Sequence, residues 1–279
     1  MEVQVSNRQQ HIDRIVHKLM GHDDHLSYSS ISAFKNSPRT FIDYKLGVKE
    51  DTEAMQYGSM LHCLVLEPED FFNRYHIIED LEICNQIGGA KPRSTKAYKE
   101  WYQAALQEAG EKQIVETADY VSAKIAAENI HSNRASAKIL QMASEYEKPI
   151  EWEFKNFRFK GFIDGHGEKI IFDLKTCTDA SPQKFQGEIM QRGYYMQAAM
   201  YLCGLGQVKD SYIIAADRKN GVSVHKIETK LVEHGATEFN EILDKFNHCI
   251  LTDSFDQSHD FWSDRWDGIF MCEKPGYLY

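Results

Sequence analysis

Two aspartates and a lysine, Asp164, Asp173 and Lys175, stand at the ends of apolar, strand-like runs. A carboxylate on a half-buried strand is costly unless it is paired or bound to a cation. Hard divalent cations such as Mg²⁺ favour carboxylate and carbonyl oxygens and keep several waters. An ammonium beside such a site can hold or deprotonate one of those waters. These three residues therefore suit metal-assisted activation of water. Asp173-Leu-Lys175 on its own reads equally as a solvated hairpin face with an Asp–Lys pair.

The elements that must position them lie between Glu151 and Lys175. Glu151 to Phe154 is a short first run and Phe157 to Asp164 a second, rich in Phe and Ile. Gly165-His166-Gly167-Glu168 marks a turn, and Lys169 to Lys175 is a third run. Side chains alternate across a strand, so Ile171, Asp173 and Lys175 share one face. A plain hairpin places Asp164 near Lys169, on the Asp173 face, and Asp173 opposite Lys160. The two acids would then lie on the order of 13 Å apart. Convergence needs a bulge or a splayed strand pair, which Gly161 and Gly165 permit.

Elsewhere the chain alternates helical and strand patterns. A polar start, 1–25, includes a helix from Gln9 to Met20, with disorder expected at its extreme end. A serine cap at Ser29 or Ser30 opens a helix that Ser37-Pro38 restarts. Lys35 and Arg39 lie one turn apart, as phosphate contacts or as a solvated face. Thr52 to Pro68 reads as a helix, with Gly58 open to another backbone and His62 among apolar neighbours. A basic and aromatic stretch, Lys91 to Tyr102, fits a helix from Ser94 with a buried aromatic face. It also fits a surface for stacking a DNA strand. Ile114 to Met142 reads as helix, with Val121, Ile125, Ile130 and Ile139 apolar. Phe185 to Leu205 is another, placing Tyr194, Gln197 and Tyr201 on one face, with Met190 and Ala198 packing elsewhere. Gln207 to Ala216 and Gly221 to Thr229 extend the sheet, and Leu231 to Leu251 is a last helix. The acidic tail 252–279 carries Phe255, Phe261, Trp262, Trp266, Phe270 and Tyr277. It could cover the body, another subunit or a partner.

The 279 residues suffice for one large α/β domain or two small ones. The reading adopted is a single domain over 26–251, with its core about 145–230. No apolar run reaches the ~18 residues of a membrane span, and the polar N-terminus is unlike a signal peptide. Six scattered cysteines without a C-x-x-C pair favour reduced thiols in a cytoplasmic compartment. The net charge of −10 argues mildly against a non-specific DNA coat.

An upstream Glu, an Asp closing a strand after a Gly, and an apolar run into Asp-Leu-Lys together resemble the PD-(D/E)xK nuclease superfamily, in its RecB-like form. The motif Gly58-x-x-Leu61-His62-x-Leu64-x-Leu66-Glu67-Pro68 resembles that of RecE-type exonucleases, the phage and prophage enzymes related to exonuclease VIII. So do the segment Leu26 to Gly47 and the Gln197-x-x-x-Tyr201 pair. The resemblance implies an α/β fold with a central mixed sheet flanked by helices. It implies metal binding by Asp164, Asp173, His62 and the Leu174 carbonyl, Mg²⁺ or Mn²⁺ being the ion. It gives Lys175 the attacking water, as base or as electrostatic aid, and Gln197 and Tyr201 a supporting role. The upstream acid matches Glu151 best and Glu153 second. Many RecE-like chains carry Arg two residues before the first Asp. Here Phe162 stands there, so Lys160 or another cation must substitute; Tyr194 is a further DNA contact. The clustered cysteines of iron–sulfur relatives are absent.

By the same resemblance the chain would be the nuclease domain without the long N-terminal extension of some relatives. It would digest linear duplex DNA from 5′ ends and leave 3′ single strands for an annealing protein of the RecT or Beta kind, in recombination and repair. It would do so as a homo-oligomer, a ring being the form of processive relatives, in the cytoplasm of a bacterium or phage-infected host. A related endonuclease, a single-strand nuclease and a non-catalytic binding protein of the same fold are the alternatives.

Overall fold

The computed structural model describes residues 2–48 and 52–262. Its N-terminal part is helical: α1 (Glu2–Met20), α2 (Tyr28–Asn36), α3 (Pro38–Lys45), α4 (Glu53–Leu66) and α5 (Phe71–Arg74). Then come β1 (Tyr75–Ile78), α6 (Asp80–Ile87), α7 (Lys96–Ala109), β2 (Gln113–Glu116), α8 (Thr117–Ser132) and α9 (Arg134–Met142). The main sheet follows as β3 (Glu145–Phe154), β4 (Phe157–His166) and β5 (Ile170–Cys177). Two helices, α10 (Pro182–Arg192) and α11 (Tyr194–Leu205), lead to β6 (Asp210–Asp217), β7 (Val222–Ile227) and α12 (Thr229–Thr252).

The sheet has the order β3-β4-β5-β6-β7. Its pairs are antiparallel except β5–β6, which α10 and α11 join as a crossover. Helices cover both faces. Ile170, Phe172 and Leu174 pack with Met60 and Leu61 of α4 and Ala123 of α8. Phe157, Phe159 and Ile213 pack with Met196 of α11 and Phe239 and Phe246 of α12. The expected α/β class, a mixed sheet flanked by helices, is the architecture found.

Several boundaries differ from the sequence reading, each for a local reason. Ser27, rather than Ser29 or Ser30, caps α2, accepting from the Ser30 amide in a reciprocal capping box. Ser37 caps α3 ahead of Pro38, as expected. The helix expected over 114–142 is a strand and two helices, because the Asn133 side chain caps α9 anew. Val121 and Ile125 are exposed there, while Ile130 and Ile139 are buried. The helix expected over 185–205 breaks at Gly193, whose φ of 72° lies in the left-handed region. Met190 on its first half is exposed rather than packed. The parallel pair β1–β2 was not foreseen; four-residue strands leave no alternation to read. The tail folds onto its own body as far as it is described: Phe255 is buried, and Phe261 and Trp262 pack against the same core. Trp266, Phe270 and Tyr277 lie outside the described residues.

Candidate active site

The β3–β4 hairpin turns through Lys155 and Asn156, both at positive φ, the geometry of a two-residue turn matched to strand twist. Counting from the Phe154↔Phe157 pair sets Glu147 opposite Asp164. That single rung is missing from an otherwise regular ladder, and Glu147 has a φ of 46°. A left-handed backbone at a residue other than Gly is strained, and such strain gathers at functional sites.

On the other side, β4 pairs with β5 only through Gly165↔Phe172 and His166↔Ile171, and then the strands separate. This register carries Asp164 toward Asp173, correcting the plain hairpin that set Asp164 by Lys169 and Asp173 by Lys160. The turn is correspondingly later, after His166. Gly165 is required, since a Cβ there would lie 2.0 Å from the Phe172 ring. Beyond the separation, Leu26 takes the vacated edge of β4, bonding the Arg158 carbonyl and the Lys160 amide at 2.8 Å each. The Asp164 carboxylate fills the gap itself, accepting from the Leu174 amide at 2.6 Å. A side chain thus completes a ladder position that a backbone carbonyl would otherwise occupy.

Around Asp164 two groups converge. From α4, His62 sets Nε2 2.6 Å from the Leu174 carbonyl, while its Nδ1 lies 3.5 Å from Asp164 and 3.8 Å from Glu147. His62, Glu147 and Asp164 each offer a ligand atom, all within 4.8 Å of one another. From the opposite face, Gln197 of α11 donates to Asp173 at 2.8 Å and to the Tyr201 hydroxyl at 3.1 Å. Lys175 meets Asp173 at 2.6 Å, its ammonium 4.8 Å from the centre of the Tyr194 ring. Gln197 therefore orients Asp173. The Tyr201 ring lies over Gly161, leaving no room for a Cβ.

The electrostatics follow from burial and crowding. Burial pushes the Asp164 carboxyl up, the Asp173 charge adds to this, and His62, Lys175 and the Leu174 amide oppose it, leaving it at about 7. Burial alone would depress His62; Asp164, Glu147 and Asp173 outweigh it and raise the imidazole to about 9. Burial likewise works against the Lys175 ammonium, but Asp173 and Asp164 hold it above its ordinary value. A buried concentration of acid is thus compensated by protons on His62 and Lys175. A hard divalent cation suits the same donors: two carboxylates, a carbonyl and an imidazole. Asp173 lies outside the three-residue cluster, held by Lys175 and Gln197.

Not every expected residue comes to this place. Glu151 lies opposite Lys160 and faces His25 and Arg158, at 3.5 and 3.3 Å, with its side chain 61% exposed. Glu153 faces His22. The upstream acid at the site is Glu147, which the sequence reading missed; counting back from the Lys155-Asn156 turn would have found it. Lys35 is bound to Glu238 at 2.5 Å. Arg39 holds the Asp256 carbonyl and carboxylate. Lys160 is exposed on β4, four residues from Asp164. Phe162 is 57% exposed. Gly58 admits the Thr176 side chain of β5, not another backbone.

The cluster opens into a groove of about 770 Å³ between α4 and the α10–α11 junction. His62, Glu147, Leu174 and Lys175 form its floor, and Arg74, Arg192 and Tyr194 line its walls. In a chain of net charge −10 this groove gathers three cationic side chains and a histidine.

A solved structure shares the architecture. A "putative exonuclease" from Eubacterium rectale superposes with a TM-score of 0.56 over 91% of both chains, at 12% identity. That likeness shows the fold alone. SSO0001 aligns over 66% of this chain and 85% of its own, at 15% identity, but its TM-score of 0.27 carries no argument. No curated protein matches the sequence. The model of the PDDEXK-like domain of unknown function (DUF3799) matches residues 27–258, from the Ser27 helix cap to the segment beyond α12, and the chain belongs to that family.

Proposed function

We propose that this chain is a divalent-metal-dependent deoxyribonuclease. The observation that carries the reading is the meeting of His62, Glu147 and Asp164 at the splayed β4–β5 edge, with His62 and Glu147 on the floor of a groove that Arg74 and Arg192 line. Asp164, Glu147, His62 and the Leu174 carbonyl would hold the ion, with Asp173 adjoining. Bound there, a hard divalent cation supplies charge neutralisation at the phosphate and a more acidic water. Asp173, braced by Gln197, fixes the Lys175 ammonium over the groove floor. Lys175 then serves as an oriented donor to the attacking water and to the charge that develops on the phosphate. Arg192 on the groove wall attracts the DNA backbone.

The finer reading is a 5′-to-3′ exonuclease on linear duplex DNA that leaves 3′ single strands for a RecT- or Beta-like annealing protein. It rests on the RecE-like motifs around His62 and Gln197, and the name of the E. rectale structure points the same way. Mg²⁺ or Mn²⁺ is the proposed ion, the cytoplasm the proposed compartment, and a homo-oligomeric ring the proposed assembly.

The test is digestion of linear duplex labelled at the 5′ or the 3′ end. A circular control, an EDTA arm and the Asp173→Ala variant run beside it. Early loss of the 5′ label, with circles intact and EDTA and variant inert, supports the full reading. Cut circles move it to an endonuclease. Tight DNA binding without cleavage in Mg²⁺ or Mn²⁺ moves it to a binding protein. Activity that survives Asp173→Ala refutes the assigned site.

A further inference from the structure

The groove contains several positive charges, and they are not equivalent. Lys175 is committed to Asp173 at 2.6 Å and to the Tyr194 ring. Arg74 is committed to Glu67 and Asp70, at 2.6 and 2.5 Å. His62 is bonded to the Leu174 carbonyl and faces two acids. Arg192 differs from all three. Its side chain is 61% exposed, and among the described residues its ion-pair partner is Glu188, one turn earlier on the same helix, at 3.3 Å. Exposed pairs of this kind contribute about 0–1 kcal/mol.

Its backbone, by contrast, is fixed. Arg192 is the last residue of α10, and left-handed Gly193 turns the chain at once into α11. The Tyr28 hydroxyl of α2 donates to the Arg192 carbonyl. Two residues on, Tyr194 contacts Lys175. A rigid base thus carries a lightly held guanidinium on the wall beside the reacting lysine. Guanidinium is the side chain best suited to bidentate phosphate contacts.

We infer that Arg192 grips a backbone phosphate next to the one being cut, exchanging Glu188 for the DNA. This rests on the nuclease reading and adds to it a substrate-positioning residue with a built-in competitor. Glu188 pairs with the guanidinium until a phosphodiester displaces it.

The experiment measures binding of fluorescent linear duplex in EDTA, where cleavage is stopped, across a range of salt. Wild type, Arg192→Ala, Arg192→Lys and Glu188→Ala are compared, with thermal melts for each. Arg192→Ala should raise Kd roughly 10-fold, in line with loss of a charge-assisted hydrogen bond. The slope of log K against log salt should become shallower by about 0.9, one phosphate contact. Arg192→Lys should restore the slope but not the full affinity. Glu188→Ala should tighten binding by roughly 2-fold, since it removes the competitor. With Mg²⁺ restored, Arg192→Ala should raise KM roughly 10-fold and change kcat by less than about 3-fold, because binding rather than chemistry is lost.

A merely structural Arg192–Glu188 pair predicts that both alanine variants melt early and bind alike; that result overturns the inference, as does an unchanged salt slope in Arg192→Ala. Should Arg192→Ala fail to fold, Arg192→Lys and Glu188→Ala still decide between the two. Wild type that cleaves but shows no effect of Arg192 leaves the nuclease reading standing and this inference refuted. Wild type that binds no DNA removes both.

Discussion

Glu147 and Glu151 sit one above the other on β3, and the molecule uses them differently. Glu147 turns out of the ladder with a φ of 46° and faces His62, while Glu151 stays in register and faces Arg158. Glu147→Gln should therefore reduce metal-dependent cleavage by roughly 100-fold, the scale on which a misplaced or missing site group acts, and weaken Mn²⁺ binding measured by calorimetry. Glu151→Gln should leave both within about 2-fold, as surface changes usually do. Equal loss in the two variants would reinstate Glu151. At this scale the sequence was most legible where chemistry is local. Asp164, Asp173 and Lys175 stand out because carboxylates ending apolar strands need a partner, and the structure gives each one. The partners of Lys35 and Arg39, Glu238 and Asp256, were not legible because they come from the other end of the chain. Nothing near Lys35 in the sequence announces them.

Strand geometry explains why the site forms at all. Gly161 and Gly165 were readable as places where β4 could bend, and both are in tight contact, with the rings of Tyr201 and Phe172. The extent of the separation was not readable, because Leu26 and the Asp164 side chain jointly replace β5 along β4. Gly165→Ala should push the Phe172 ring out of its place and destabilise the fold by about 1–3 kcal/mol, the range for overpacking, with urea unfolding as the measurement. An unchanged midpoint would mean that the strands can part without this close approach. A second clamp lies at the far end of β6. The Asp217 carboxylate accepts from the amides of Ala180, Lys219 and Gly221 at 2.8–2.9 Å, tying the approach to α10 to the β6–β7 turn. Burial opposes ionisation there, but those three amides hold the carboxyl below its ordinary 3.8. A carboxyl lowered in this way stabilises the fold fully above 3.8 and loses that contribution as pH falls through its folded value. Asp217→Ala should thus cost about 1–3 kcal/mol at pH 7, and the gap to wild type in urea should close progressively below pH 3.8. A gap that persisted at low pH would trace the loss to packing instead.

Across the whole molecule, the two ends of the described chain close over each other, away from the groove. Arg8 of α1 bonds Asp43 and Asp256, and Arg39 bonds Asp256. Beneath them Phe255 meets Phe246 at 5.3 Å and Phe41 at 5.9 Å between ring centres, with Phe34 4.9 Å from Phe246. The aromatic residues after 251 left three destinations open: the body, another subunit or a partner. Composition cannot choose among them, since apolar residues favour any dry surface alike. The structure places Phe255 on the body, 1% exposed. Phe255→Ala should accordingly destabilise the chain by about 3–5 kcal/mol. That is a large part of the roughly 5–15 kcal/mol typical of a folded domain. At this chain length it corresponds to a fall in Tm of roughly 10 °C. Because the ring is buried within one chain, the loss should be the same at micromolar and tens-of-micromolar protein. A contact between subunits would instead make Tm depend on concentration. Cleavage per folded molecule at 25 °C should match wild type, since Phe34, Phe41, Phe246 and Phe255 do not line the groove. A drop in cleavage without a drop in Tm would mean that this segment acts on the site rather than on the fold.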